Sequence, residues 1–112
     1  MKKFLILIRE DLSAVNKMTP EQMEADIAEY VKWKDGLQKE NRHVMSDPLE
    51  GSGAMIYKNK VETDGPFIES KEAITGFFVF LAKDTEEAIS IAKTCPIFKY
   101  EGLVELRPIM DF

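Results

Sequence analysis

The chain has one cysteine, one histidine and one tryptophan in 112 residues. A lone Cys95 excludes an internal disulfide and fits a reducing compartment. One histidine with one cysteine is poor material for a metal site, which needs clustered ligands, so no metal and no cofactor are expected. Basic residues are in deficit: 15 Lys and Arg stand against 20 Asp and Glu, a net charge of −5. A polyanion-binding surface needs a concentrated basic face, so nucleic acid is not an expected partner. Long apolar runs are missing too. Phe4 to Ile8 and Phe77 to Ala82 fall far short of the roughly 20 residues of a membrane span. The start, Met1-Lys2-Lys3 and then Phe4-Leu5-Ile6-Leu7-Ile8, mimics a signal peptide, but its apolar part is short and Arg9-Glu10-Asp11 ends it. A cytoplasmic location with no membrane partner is the expectation. Gly51-Ser52-Gly53 is too short for a phosphate loop and is followed by no Lys.

What is present suits one globular domain over residues 1–112. Phe4 to Ile8 is continuous and apolar, as in a strand covered on both faces. Thr19-Pro20-Glu21-Gln22 is a helix start. Thr19 caps, Pro20 sits where a missing N–H costs nothing, and Gln22 completes a capping box. Met23, Ile27, Tyr30, Val31 and Leu37 then form an apolar stripe, broken at Lys34 and with Trp33 off its centre. The helix fades near Asn41.

Val44–Met45 begins a second strand, interrupted by a loop from Ser46 to Gly53. Ala54 to Tyr57 and Val61 to Thr63 read as a hairpin about Lys58-Asn59-Lys60, with Asn59 suited to positive φ. Gly76 to Ala82 is a further apolar strand. Asp84 caps a second long helix, with Glu87 at the capping-box position. Its stripe is Ala88, Ile91, Ala92 and Cys95, and Pro96 closes it. In that stripe Cys95 reads as a small buried hydrophobe. Leu103 to Arg107 alternates, as a strand with one wet face does. The order of elements is that of an α+β fold of ferredoxin-like, split βαβ type, an antiparallel sheet with its helices on one face. Apolar residues on both sides of the two central strands call for a cover on the open face. A second copy, in a two-fold homodimer, supplies it.

The run from Glu62 to Phe78, ETDGPFIESKEAITGFF, concentrates the candidate chemistry. In Asp64-Gly65-Pro66, Pro66 pushes Gly65 away from helical backbone and Asp64 can bond nearby N–H groups. Two readings stand side by side. One is a shaped turn followed by a solvated charged loop. The other is a ligand site in which Asp64 transfers protons and Gly65, Pro66, Phe67, Glu69, Lys71 and Glu72 surround a small organic molecule. His43, with an ordinary pKa near 6.5, suits a partner for Asp64. The competing reading of His43 is a residue favouring a helix C-terminus.

The same run resembles the YCII-related, or DGPF-domain, family. The residues that carry the resemblance are Asp64-Gly65-Pro66-Phe67, Glu69-Ser70-Lys71-Glu72 and Gly76-Phe77-Phe78. Cys95-Pro96 and Val104-Glu105-Leu106-Arg107-Pro108 extend it. The resemblance implies a dimeric α+β barrel of two ferredoxin-like units. It implies either an enzyme-like relative, with a histidine–aspartate pair, or an accessory module of the kind associated with alternative sigma factors. The histidine of the enzyme-like branch lies near the start of the first helix, and Pro20 to Leu37 contains none. That pair does not transfer, which leaves a cofactor-free acid–base enzyme and a ligand-sensing or regulatory module as the two functions in view.

Overall fold

A computed structural model describes residues 1–63 and 72–111, residue 72 by its backbone alone. The elements are β1 (Lys2–Asp11), α1 (Leu12–Asn16), α2 (Pro20–Lys39), β2 (His43–Pro48), β3 (Met55–Ile56), β4 (Val61–Glu62), β5 (Glu72–Ala82), α3 (Thr85–Ala92), a 3-10 turn (Pro96–Lys99) and β6 (Leu103–Pro108). Four strands form one antiparallel sheet in the order β2-β5-β1-β6. The longest strands are central, and each helical crossover skips one strand: α2 carries the chain from β1 past β5 to β2, and α3 from β5 past β1 to β6. This is the ferredoxin-like arrangement expected from the order of elements.

Alternation along β1 and β5 builds the core. Phe4, Ile6 and Ile8 face the same side as Phe78, Phe80 and Ala82, and all are buried. Leu37 of α2, Ala88 and Ala92 of α3, and then Cys95 and Ile97 close over them. Phe4, Phe80, Ile6 and Ile97 are fully enclosed. Each such side chain contributes about 1.5–3 kcal/mol on leaving water. On the other side of the sheet Leu5 pairs with Val79 and Leu7 with Phe77, the centre of the face opposite α2 and α3.

Local signals set the helix ends. Thr19 Oγ1 accepts from Gln22 N at 3.1 Å and Gln22 Oε1 accepts from Thr19 N at 2.9 Å, the reciprocal capping box. At the far end Asn41 takes a positive φ of 60°. Arg42 N donates to Leu37 O and Asn41 N to Gln38 O, so α2 ends in a Schellman motif with Asn in the glycine position. Asp84 caps α3 through Glu87 N at 2.9 Å, but the Glu87 carboxylate accepts from Lys83 N and from Arg42 rather than from the cap's own N–H.

Several expectations are corrected. The polar stretch after β1 contains α1, capped by Asp11, whose carboxylate accepts from Ser13 N at 2.9 Å. Ser46, Asp47 and Pro48, read as loop, extend β2. The hairpin closes with Tyr57 N donating to Lys60 O at 2.8 Å. Asn59 keeps negative φ, because Asn41 is the one non-glycine residue at positive φ among the described residues. The largest correction concerns α2. Met23, Ile27 and Val31 are 45%, 60% and 51% exposed, and the helix instead turns Tyr30, Trp33 and Leu37 onto the core. The inward stripe runs Asp26, Tyr30, Trp33, Leu37, a helical spacing disguised because it starts with a carboxylate.

Candidate functional site

Phe78 is the pivot of the site. It stands on the core side of β5, where α2 crosses the β5–β2 edge. Trp33 meets it edge-on with centroids 4.7 Å apart, Tyr30 stacks at 6.2 Å, and His43 meets it edge-on at 6.3 Å. Trp33 is fixed from the other end, because its Nε1 donates to Thr94 Oγ1 at 2.8 Å. Beside this aromatic cluster lies a cavity of about 290 Å³ between α2 and the sheet. Its apolar floor is Ile8 and Phe78. Glu10, Asp26, Lys34, Ser46, Asp47 and Thr75 supply polar groups from four elements.

Two irregularities in the sheet aim those groups. Ile8 pairs with Gly76 and Arg9 with Ile74, so Thr75 is an extra residue on β5. Its hydroxyl donates to Glu10 Oε2, the next inward position of β1 after Ile8. On β2, His43 pairs with Phe80 and Met45 with Val79, so Val44 is extra. In a regular strand His43 and Ser46 would point to opposite faces. The bulge puts both on the core side, with His43 Nε2 and Ser46 Oγ 2.8 Å apart. Bulges redirect side chains in this way and are over-represented beside active sites. Thr75 lines the cavity itself, and the Val44 bulge sets the facing of Ser46, which also lines it.

Burial and like charge set the electrostatics. Desolvation, then Glu10 and Glu29, raise the pKa of Asp26, and Lys99 opposes them. The carboxyl at Asp26 therefore holds its proton to higher pH than a free aspartate. His43 is pushed down by burial and by Lys34, which favours the neutral imidazole. Burial holds the Tyr30 phenol protonated. Its hydroxyl lies by the Cys95 thiol without forming a hydrogen bond of normal geometry, a buried donor left unused among the described residues. Cys95 is 2% exposed and its thiol is pushed up to about 11, again by burial. That fits its reading as a small hydrophobe, since a thiol is a weak nucleophile.

Two larger cavities carry less chemistry. One of about 550 Å³ is lined by Arg9, Asp11, Lys17 and Gln22 around the β1–α1 corner. Its guanidinium is already held by Glu105 at 3.0 Å. The other, about 750 Å³, is a groove between α2 and α3 over Trp33, Leu37, Ile91 and Phe98, rimmed by the Lys99–Glu29 ion pair at 2.9 Å. Convergent polar groups, an apolar floor and shifted titratable residues occur together in the smallest.

Of the sequence-expected site residues, His43 does not line the cavity itself but touches two residues that do, Phe78 and Ser46. Asp64, Gly65, Pro66, Phe67, Glu69, Lys71 and the side chain of Glu72 lie outside the described residues. Glu10, Asp26, Tyr30, Ser46 and Thr75 were not expected. Glu10 had a signal, since it continues the even-numbered inward series of β1, and Asp26 stands one helical turn before Tyr30. Ser46 and Thr75 had none, because strand alternation cannot locate a bulge. Among the described residues no group of three or more His, Cys, Asp or Glu is arranged to hold a metal ion, and no helix is long and apolar enough to cross a membrane.

The YCII-related domain model matches residues 2–112, essentially the whole chain. No curated protein matches it.

Proposed function

The chain belongs to the YCII-related family, and from that premise we propose that it binds a small organic molecule in the cavity beneath α2 and exchanges a proton with it. The observation that carries this reading is Asp26. Its carboxyl sits at an aromatic-floored cavity with a raised pKa, while Glu10 lines the same cavity and accepts from Thr75. A pair of carboxylates in unlike environments divides into an acid and a base, the division that acid–base catalysis needs. About 290 Å³ suits a small metabolite. Asp64 and its neighbours belong to the same reading on sequence grounds, as a second proton-transfer group and a ligand-binding run.

The test is a thermal-shift screen of small metabolites against the wild type, Asp26→Asn and Asp64→Ala. A compound that stabilises the wild type but not Asp26→Asn supports the site by linkage. Equal stabilisation of all three chains refutes both assignments. Binding without turnover would make the protein a ligand sensor rather than an enzyme.

The same reading includes a homodimer formed through the open sheet face. Leu5, Leu7 and Phe77 at the centre of that face support it. Analytical ultracentrifugation at micromolar concentration should give a dimer for the wild type and a monomer for Phe77→Glu. A monomeric wild type would refute it.

A further inference from the structure

The bulge at Val44 has a chemical result that proton exchange at Asp26 does not use. It brings a hydroxyl and an imidazole from one strand onto one face, within hydrogen-bond reach. We propose that Ser46 and His43 form a nucleophile–base pair, and that the cavity beneath α2 admits small uncharged acyl esters to Ser46 Oγ. This rests on the reading of that cavity as a ligand site and adds a reaction class to it.

Ser46 lines the cavity, so its Oγ has space for an incoming carbonyl. His43 Nε2 lies 2.8 Å from that oxygen, inside the range required of a general base. With the ring proton on Nδ1, Nε2 accepts the Ser46 hydroxyl. The edge-on contact with Phe78 holds the ring in place from the core side. Lys34 lines the same cavity and acts electrostatically on His43, so it brings a positive charge to the cavity that can favour a developing oxyanion. Glu10, Asp26 and Asp47 around the cavity disfavour anionic acyl groups. The limited volume excludes long chains.

The step balances with water as the only co-reactant. Ser46 Oγ bonds to the acyl carbon while its proton passes to His43 Nε2. The tetrahedral adduct collapses, the ester C–O bond breaks, and the alcohol leaves with the proton from His43. Water, deprotonated by the same imidazole, then releases the carboxylic acid and restores Ser46.

The probes are phenylmethanesulfonyl fluoride and p-nitrophenyl acetate, applied to the full chain. Intact-mass and peptide mapping should show one sulfonyl adduct, on Ser46. The ester should give a burst of nitrophenolate close to one equivalent per chain. Ser46→Ala should lose both. His43→Gln should slow both by about 100-fold or more, the usual contribution of a positioned base. Circular dichroism confirms folding of each variant, and if Ser46→Ala fails to fold, His43→Gln carries the test. A folded wild type with no adduct on Ser46 overturns the proposal, as does equal labelling of His43→Gln and wild type. Since neither probe depends on the natural ligand, the two readings fail separately. A metabolite that binds while Ser46 stays unlabelled removes the pair and keeps the ligand site. A labelled Ser46 with an empty metabolite screen does the reverse.

Discussion

The same substitution, glycine to alanine, should have opposite effects at two places in this fold. Gly102 precedes β6 where the chain passes over the 3-10 turn. A Cβ there would lie 2.6 Å from Ile97 Cδ1, closer still to Cγ1, and 3.0 Å from the carbonyl oxygen of Arg9. Ile97 is fully buried and cannot swing into solvent. The Arg9 carbonyl belongs to the central strand β1 and cannot retreat cheaply. Overpacking of this kind costs about 1–3 kcal/mol. Gly36 lies inside α2, and a Cβ there meets nothing within 4 Å. Alanine at that point removes the conformational entropy glycine brings to the unfolded chain, a gain of about 0.5–1 kcal/mol. With an unfolding entropy of about 2.1 cal/mol/K per residue, each kcal/mol moves the Tm of a chain this size by about 4 °C. Gly102→Ala should therefore melt about 4–12 °C lower and Gly36→Ala about 2–4 °C higher, by calorimetry or circular dichroism. Equal shifts of the same sign would refute the reasoning, because they would mean that glycine content and not local packing decides the outcome.

Three further outcomes follow from the site. Trp33→Phe keeps the ring against Phe78 but loses the bond to Thr94, whose hydroxyl still donates to Ile91 O at 2.6 Å. Denaturant unfolding should show a loss of about 1 kcal/mol, whereas a loss above about 3 kcal/mol would mean the indole does more than this. Tyr30→Phe removes a buried hydroxyl that makes no normal hydrogen bond among the described residues. It should leave stability equal or raise it, while weakening any ligand that accepts from that hydroxyl, and marked destabilisation would show a partner exists. Asp26 has its pKa raised by burial and then by Glu10 and Glu29. From its ordinary value of 3.8 up to the raised one, the folded chain holds more protons than the unfolded chain, so this group's contribution falls as pH rises through that window. Asp26→Asn should therefore be more stable than wild type at neutral pH, with the advantage shrinking in acid and in high salt. An advantage that grows in acid would show the sign to be wrong.

The strands β1, β5 and β6, both long helices and their caps were legible from the sequence because each rests on a short-range rule. Alternation, helical spacing, and Thr19 or Asp84 at a helix start require only neighbours along the chain. The buried face of α2 was not legible. Ile27 and Val31 form as good an apolar stripe as Tyr30, Trp33 and Leu37, and the sheet chose between them. Phe78 offers an aromatic surface that Tyr30 and Trp33 match, and Thr94 offers a partner for the indole.

The candidate site divides in the same way. His43 drew attention as the single histidine, a property of the sequence. That it faces Ser46 is a property of the Val44 bulge, which exists only because β2 pairs with β5 in a register set by residues far apart in the chain. The Thr75 bulge likewise joins Thr75 to Glu10 across the sheet. The sequence by itself determined the order of the sheet strands and the two crossover helices, the ferredoxin-like class and the family mark, because periodicity, capping and motif are local. Only the tertiary structure decided which side of α2 is buried and which polar groups share a cavity. Those follow from register and docking, where a shift of one residue exchanges the faces of a strand.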